Sequence, residues 1–341
     1  MMLSADASAA NLEINMAIAE RNGAPSTQLL ADIFESHVTA ALDDSSAPAR
    51  WHRITVTATD EPSSVFDLVA AGEAQVALVS LTRHPWSLFP LSVSYMTPFS
   101  CDDPAIVGPT IDAMNGAFDA LDLAWASLGL VYLGGGYAEG SYLLATSSPV
   151  ETLEDLDGKV ISAPELAVEW LQGTGATALA GDDRTFDVGL ATGKIDGVIT
   201  YAAEMERLSL DSYAPYLTDA GLGAVYEGGL VANRAWFERQ RPSVQIALQE
   251  AAEAYGIAVA DAQAAHGQAA IDLMVNRGAR LHRLYDSERQ YWADLLPDLA
   301  GNWAFELDVR NMPGTAMLAD YTHRVEARCG EPLRAWNTPA P

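Results

Sequence analysis

Residues 242–278 carry the longest helical pattern in the sequence that no proline interrupts. Proline opens the pattern, where a missing backbone donor costs nothing, and Ala, Gln, Glu, Leu and Ile dominate its interior. About 35 residues at ~1.5 Å rise would reach ~50 Å, more than one small domain is wide. A single helix of that length needs two bodies to lie against. The other solution is two helices broken at Gly256 or Gly267. A length of 341 residues suits two domains of ordinary size, each able to bury its own core.

The rest of the chain alternates short strands with helices. Residues 12–18 alternate apolar and polar before becoming continuously apolar, as a first strand should, and a polar loop follows over 19–26. Leu29, Leu30, Ile33, Phe34, Val38 and Ala41 then fall at helical spacing. Residues 51–59 and 75–80 read as strands with a helix over 63–71 between them, which predicts a parallel sheet with crossovers. A strand over 128–133 runs into Gly134-Gly135-Gly136. No Lys-Ser/Thr follows, so these glycines do not make a phosphate cradle; a hinge at the first crossing between domains is the better reading. A strand over 141–146 comes next, and after residue 201 a strand over 228–233 reads as the return crossing. Helices over 287–328 cover the core, and the proline-rich tail 331–341 is expected to be loosely attached.

Residues 149–201 form one compact α/β unit. Thr152 caps a short helical turn, with Glu151, Glu154 and Asp155 where a helix N-terminus favours negative charge. Gly158 turns the chain into the strand Lys159-Val160-Ile161, which stops at Ser162-Ala163-Pro164. A helix over about 165–173, a polar loop, a second helix ending near Thr192 and a strand over 195–199 complete the unit. Doubly wound sheets place ligands where strand ends open onto helix N-termini, which directs attention to residues 162–165 and 200–201.

Several function classes are disfavoured. A net charge of −27 repels nucleic acid and anionic lipid, so no nucleic-acid partner is expected. The six histidines are scattered singly, and no HExxH or G-x-S-x-G occurs, so neither a metal nor a cofactor is expected. Asp102-Asp103 and Asp182-Asp183 read as solvated loops rather than acid–base pairs. Cys101 and Cys329 form one disulfide or remain two thiols, with thiols as the expectation. No apolar run approaches the roughly 20 residues that span a bilayer, and residues 1–10 do not read as an intact signal peptide.

Two motifs carry a family resemblance. Leu153-Glu154-Asp155-Leu156-Asp157-Gly158-Lys159-Val160-Ile161-Ser162-Ala163-Pro164 and Gly189-Leu190-Ala191-Thr192-Gly193-Lys194-Ile195-Asp196-Gly197 resemble the patterns L-e-D-L-k-G-l-K-I-R-x-P and a-L-x-T-G-x-v-D-G of the solute receptors of TRAP (tripartite ATP-independent periplasmic) transporters. Tyr95-Met96-Thr97-Pro98-Phe99 is similar to their P…lPF segment, and Trp236 matches the turn after their return strand. The similarity extends from about Leu12 onward. It implies an α/β, two-lobed periplasmic-binding-protein-like fold with a long helix bracing both lobes. Lobe 1 would be 11–138 plus about 228–255, lobe 2 would be 139–227 plus about 256–330, and 331–341 a tail. It also implies a periplasmic, non-enzymatic receptor that closes around a small-molecule solute and delivers it to membrane permease subunits, without entering the membrane itself.

Candidate ligand contacts are the polar and aromatic residues at strand ends. They are Glu20 and Asn22 after the first strand, Ser80 (with Thr82) after the third, and Tyr137 and Glu139 on the first crossing. Ser162 and Glu165 follow the first motif, Thr200 and Tyr201 the second, and Asn233 ends the return strand. The arginine that the family pattern carries, which pairs with a solute carboxylate, falls on Ser162. Either another arginine replaces it, with Arg21, Arg184 and Arg234 as candidates, or the ligand is not an acid. Glu20, Glu139 and Glu165 with Tyr137 and Tyr201 suit an ammonium group, and the hydroxyls of Ser162 or Thr200 suit a ligand hydroxyl. The expected ligand is a small hydroxylated amine of the ethanolamine type. The alternatives are an organic acid held by a substitute arginine, or an enzyme on a bilobal scaffold.

Overall fold

The structure, a computed structural model, describes residues 11–19, 24–43, 48–56, 64–140 and 142–336. These residues form eleven strands: β1 (Leu12–Ala19), β2 (Ala49–Val56), β3 (Val76–Ser80), β4 (Leu130–Glu139), β5 (Tyr142–Thr146), β6 (Val160–Ala163), β7 (Thr177–Ala180), β8 (Gly197–Tyr201), β9 (Tyr216–Asp219), β10 (Val225–Asn233) and β11 (Arg280–Arg283). They make a five-stranded sheet in the order β2-β1-β3-β10-β4 and a six-stranded sheet in the order β11-β9-β5-β8-β6-β7. The fold is mixed α/β.

The chain divides into two compact units. Unit 1 is Met1–Val79, Leu121–Gly135 and Gly229–Val259; unit 2 is Ser80–Ala120, Gly136–Gly228 and Ala260–Pro341. Residues 242–276 form one continuous helix, Pro242–Asn276, through both Gly256 and Gly267. In unit 1, β1 pairs in parallel with β2, Leu12 facing Ala49, and with β3, Met16 facing Val76. The helix Val65–Ala71 makes the crossover between β2 and β3. The Ser64 hydroxyl accepts from Asp67 N while the Asp67 carboxylate accepts from Ser64 N, and Gly72 at φ 81° ends the helix.

The six-stranded sheet of unit 2 is mixed. β5 runs antiparallel to both β8 and β9, whereas β6 pairs in parallel with β7 and β8, and β11 with β9. Only residues 140–141 separate β4, in the five-stranded sheet, from β5, in the six-stranded one, so the chain passes directly from one sheet to the other. The core of this unit is pinned by indole donors, since a buried Trp N–H must find an acceptor. Trp170 donates to Tyr95 O at 2.7 Å, Trp292 to Trp170 O at 2.6 Å, Trp303 to Phe89 O at 3.0 Å and Trp336 to Pro98 O at 2.8 Å.

Three local readings are corrected. Gly134-Gly135-Gly136 lies inside β4 rather than after a strand, with φ of 116° at Gly134 and 72° at Gly135. A side chain at Gly135 would meet Tyr255 and the Ala252 carbonyl, so the close approach calls for glycine as much as the backbone angle does. Cys101 and Cys329 are joined as a disulfide, with their Cα atoms 5.6 Å apart, rather than left as thiols. The tail is anchored as far as Trp336, which is 1% exposed, because the indole finds both an apolar slot and a carbonyl partner.

Candidate ligand site

Glu227, the third residue of β10, is a carboxylate with no exposed surface. Burying such a group requires donors. Ser80 Oγ and Thr82 Oγ1, at the end of β3 and just beyond it, each donate to Glu227 Oε1 at 2.6 Å, and Leu81 N donates to the Glu227 carbonyl at 2.6 Å. A three-residue segment from one strand end thus wraps the acid on the next strand.

Aromatic residues gather beside it. The short helix Val93–Met96 carries Tyr95, and its Ser94 Oγ accepts from Tyr226 N at 2.9 Å, which ties it to the residue before Glu227. The Tyr95 and Tyr142 hydroxyls are 3.0 Å apart. Trp170 stacks on Tyr95 at 5.8 Å and meets Tyr142 edge-on at 5.5 Å, and Tyr201 lies 5.8 Å from Tyr142. Burial, then the neighbouring charges of Tyr142 and Glu227, raise the Tyr95 phenol well above its usual range. Tyr95 therefore remains a neutral hydroxyl at any physiological pH.

Tyr201, at the end of β8, donates to Glu204 Oε2 at 3.3 Å. Arg207 holds the same carboxylate through Nε at 2.9 Å and Nη2 at 2.5 Å, and reaches Asp183 Oδ2 at 2.6 Å. Arg83 lies 3.9 Å from Asp183, and Asp182 caps the helix Asp183–Ala191 by accepting from Thr185 N at 2.9 Å. The arrangement brings together hydroxyls, aromatic rings and two buried carboxylates, Glu227 held by hydroxyls and Glu204 paired with Arg207. That set can bind a small polar or cationic molecule by hydrogen bonds and cation–π attraction.

Among the residues named from sequence, the structure brings Ser80 and Tyr201 into this neighbourhood. Thr200 is buried in β8 opposite Leu143, next to Tyr201. Ser162 is wholly buried on β6, and its hydroxyl donates to Leu179 O at 3.0 Å. Glu165 is exposed at the start of the 3₁₀ helix Glu165–Leu171, which also carries Trp170. Tyr137 is buried in β4, and Glu139 Oε1 accepts from Gln263 Nε2 at 2.6 Å. Asn233, in unit 1, accepts from Trp236 N as a helix cap and donates to Val69 O and Ala70 O. Glu20, Asn22 and Arg21 lie outside the described residues.

Sequence reasoning did not single out Glu227, Tyr95, Tyr142, Trp170 or Glu204. Glu227 left one usable signal, a lone acid inside the apolar run of a fully buried strand. The tyrosines and Trp170 meet only through tertiary packing between elements far apart in sequence.

No helix among the described residues is long and apolar enough to cross a membrane. The model of the bacterial extracellular solute-binding proteins, family 7, matches residues 59–303. No curated protein matches the sequence. Among solved structures, a TRAP periplasmic solute-binding protein from Desulfovibrio salexigens is similar at a TM-score of 0.78 and 15% identity, over 94% of this chain and 97% of that one. A TRAP periplasmic solute-binding protein from Bordetella bronchiseptica, with bound (R)- and (S)-mandelate, is similar at 0.74 and 21% identity, over 93% and 99%. The periplasmic ectoine-binding protein of a TRAP transporter from Halomonas elongata is similar at 0.72 and 19% identity, over 92% and 99%. The chain belongs to family 7 of the bacterial extracellular solute-binding proteins, the periplasmic receptors that bind small solutes and deliver them to the membrane components of TRAP transporters.

Proposed function

We propose that this receptor takes a small hydroxylated amine of the ethanolamine type, contacted by the cluster around Glu227. The observation that carries the reading is the buried Glu227 carboxylate, held on one oxygen by the hydroxyls of Ser80 and Thr82 beside the phenols of Tyr95 and Tyr142. An ammonium group beside such a carboxylate gains an ion pair. Contact with ring faces adds about 0.5–2 kcal/mol, more as water is excluded. The phenols and hydroxyls suit the alcohol end of the same molecule. Ser162 agrees in sign, because the position where the family pattern carries arginine holds a neutral hydroxyl turned towards a main-chain carbonyl.

A second reading, an organic acid, is favoured by the mandelate bound in the Bordetella bronchiseptica receptor. It needs a cation. Arg234 is engaged by Asp122, Glu238 and the Leu130 carbonyl, and Arg207 by Glu204 and Asp183. A carboxylate ligand that recruited either of these would draw it away from two acids, whereas Arg83, half exposed and 3.9 Å from Asp183, would give up only a long contact.

Calorimetry with ethanolamine, ethylene glycol, glycolate, ectoine and mandelate, on wild type and Glu227→Gln, tests the choice. The expected result is binding of ethanolamine by the wild type, weaker binding of the diol, and loss of amine binding in Glu227→Gln. Binding of glycolate or mandelate alone, unaffected by Glu227→Gln, would overturn the amine reading.

A further inference from the structure

The last described residues of the chain grip the segment that leads out of Tyr95. Trp336 Nε1 donates to Pro98 O at 2.8 Å, Leu333 N to Phe99 O at 3.3 Å, and the Cys101–Cys329 disulfide fastens the same segment. The strap is itself held. Gln290 Nε2 donates to Leu333 O at 2.9 Å, Arg334 Nη1 donates to Ala293 O and Leu296 O, and the Arg334 guanidinium lies 4.5 Å over the Trp336 ring. From the other side, Phe99 N donates to Leu222 O at 3.0 Å and Ala224 N to Cys101 O at 2.6 Å. Ala224 precedes β10, and Glu227 is three residues further on.

Segment 98–101 is thus clamped between the strap and the entry to β10. Phe99 at its centre has φ 62°, a left-handed backbone that a bulky residue keeps only where its surroundings enforce it. Its ring packs edge-on against Trp292 at 6.0 Å, and Trp292 donates to the carbonyl of Trp170, the residue stacked on Tyr95. Two routes therefore lead from the strap to the cluster: through residues 98–101 to Tyr95 and β10, and through Trp292 to Trp170.

We propose that residues 329–336 are a positioning element for the Tyr95–Glu227 cluster, with the Trp336 indole donor and the Cys101–Cys329 link setting where Tyr95 and the start of β10 stand. This rests on the reading of that cluster as the solute contact. The placement of the cluster can nonetheless be measured without any solute, so failure of the strap and failure of the ligand reading remain distinguishable.

Hydrogen exchange by mass spectrometry on the full chain tests it, comparing wild type with Trp336→Phe and with the double variant Cys101→Ser, Cys329→Ser. Trp336→Phe keeps an aromatic ring but removes both the donor and the pyrrole half of the indole. It withdraws the bond to Pro98 O together with part of the packing in this slot, and the location of the change is what separates positioning from general loosening. The expected result is exchange about five- to tenfold faster in peptides that contain Leu81 and Tyr226, whose amides bond Glu227 O and Ser94 Oγ. Peptides from β6 and β8 should keep the wild-type rate. Wild-type exchange at Leu81 and Tyr226 in both variants, or equal acceleration in every strand, would overturn the proposal.

Discussion

The hydroxyl of Ser162 is turned to the carbonyl of Leu179 in a strand position with no exposed surface, and a Cβ on Gly181 would collide with that hydroxyl. The space around it is filled to the size of a serine. Arginine there would have to displace packed neighbours, at about 1–3 kcal/mol, and bring a charge into a place with no room for water. Ser162→Arg is expected to lose about 3 kcal/mol or more in urea unfolding, against about 1 kcal/mol for Ser162→Ala, which loses only a hydrogen bond. Wild-type stability in Ser162→Arg would mean that the position opens to solvent. Residue type was readable in the sequence here and setting was not. The motif placed Ser162 at the end of β6, but its partner lies on β7, a strand that periodicity did not reveal. Glu227 is the reverse case, since its strand was anticipated in part and its role depends on Ser80, 147 residues away.

The helix Pro104–Ala117 shows how an element can be fixed by one small residue. A Cβ on Gly108 would sit 2.6 Å from the carbonyl of Gly136, and one turn later the Asp112 carboxylate accepts from Gly136 N, 3.0 Å from each of its oxygens. Helix and strand therefore meet backbone to backbone. Gly108→Ala would gain helix propensity of about 1 kcal/mol. It must also push the two elements apart against the Asp112 bonds, and overpacking of this kind costs about 1–3 kcal/mol. A net loss of roughly 1–2 kcal/mol in urea unfolding is expected; a stabilised variant would show that the helix slides freely along β4. Elements with strong periodic patterns were legible in the sequence, above all Pro242–Asn276, β1, β3 and the crossover helix Val65–Ala71. β7 was not, because Thr177–Ala180 is largely exposed at the sheet edge and flanked by Gly173, Gly175 and Gly181, so no buried alternation marks it. The glycine run in β4 misled for the opposite reason. It signals irregular backbone, and here two left-handed glycines are accommodated inside a strand that continues past them.

For the molecule as a whole, the charge balance governs behaviour more than any single pair. With 46 acidic and 19 basic side chains, the guanidinium groups are shared. Arg277 serves Glu206 and Asp211, Arg234 serves Asp122 and Glu238, and Arg207 serves Glu204 and Asp183. Most of these pairs lie at the surface, where each contributes about 0–1 kcal/mol. The net charge of −27 instead acts against the compact state through self-repulsion. The two effects respond to salt with opposite sign. Screening weakens the exposed pairs, and it also removes repulsion within the excess of acidic over basic side chains. The screening length falls from ~30 Å at 0.01 M to below ~8 Å above 0.15 M, so long-range repulsion is lost while bonded pairs at about 3 Å keep much of their attraction. Relief of repulsion therefore outweighs the weakening of the pairs. Raising NaCl from 0.01 to 0.5 M is expected to add about 2 kcal/mol, seen as a rise in Tm of roughly 3 °C in a thermal scan. KCl should give the same rise, because screening depends on ionic strength and not on the cation. A Tm that stays flat or falls with salt would mean that the shared arginine pairs, and not the acid excess, set the electrostatic stability of this receptor.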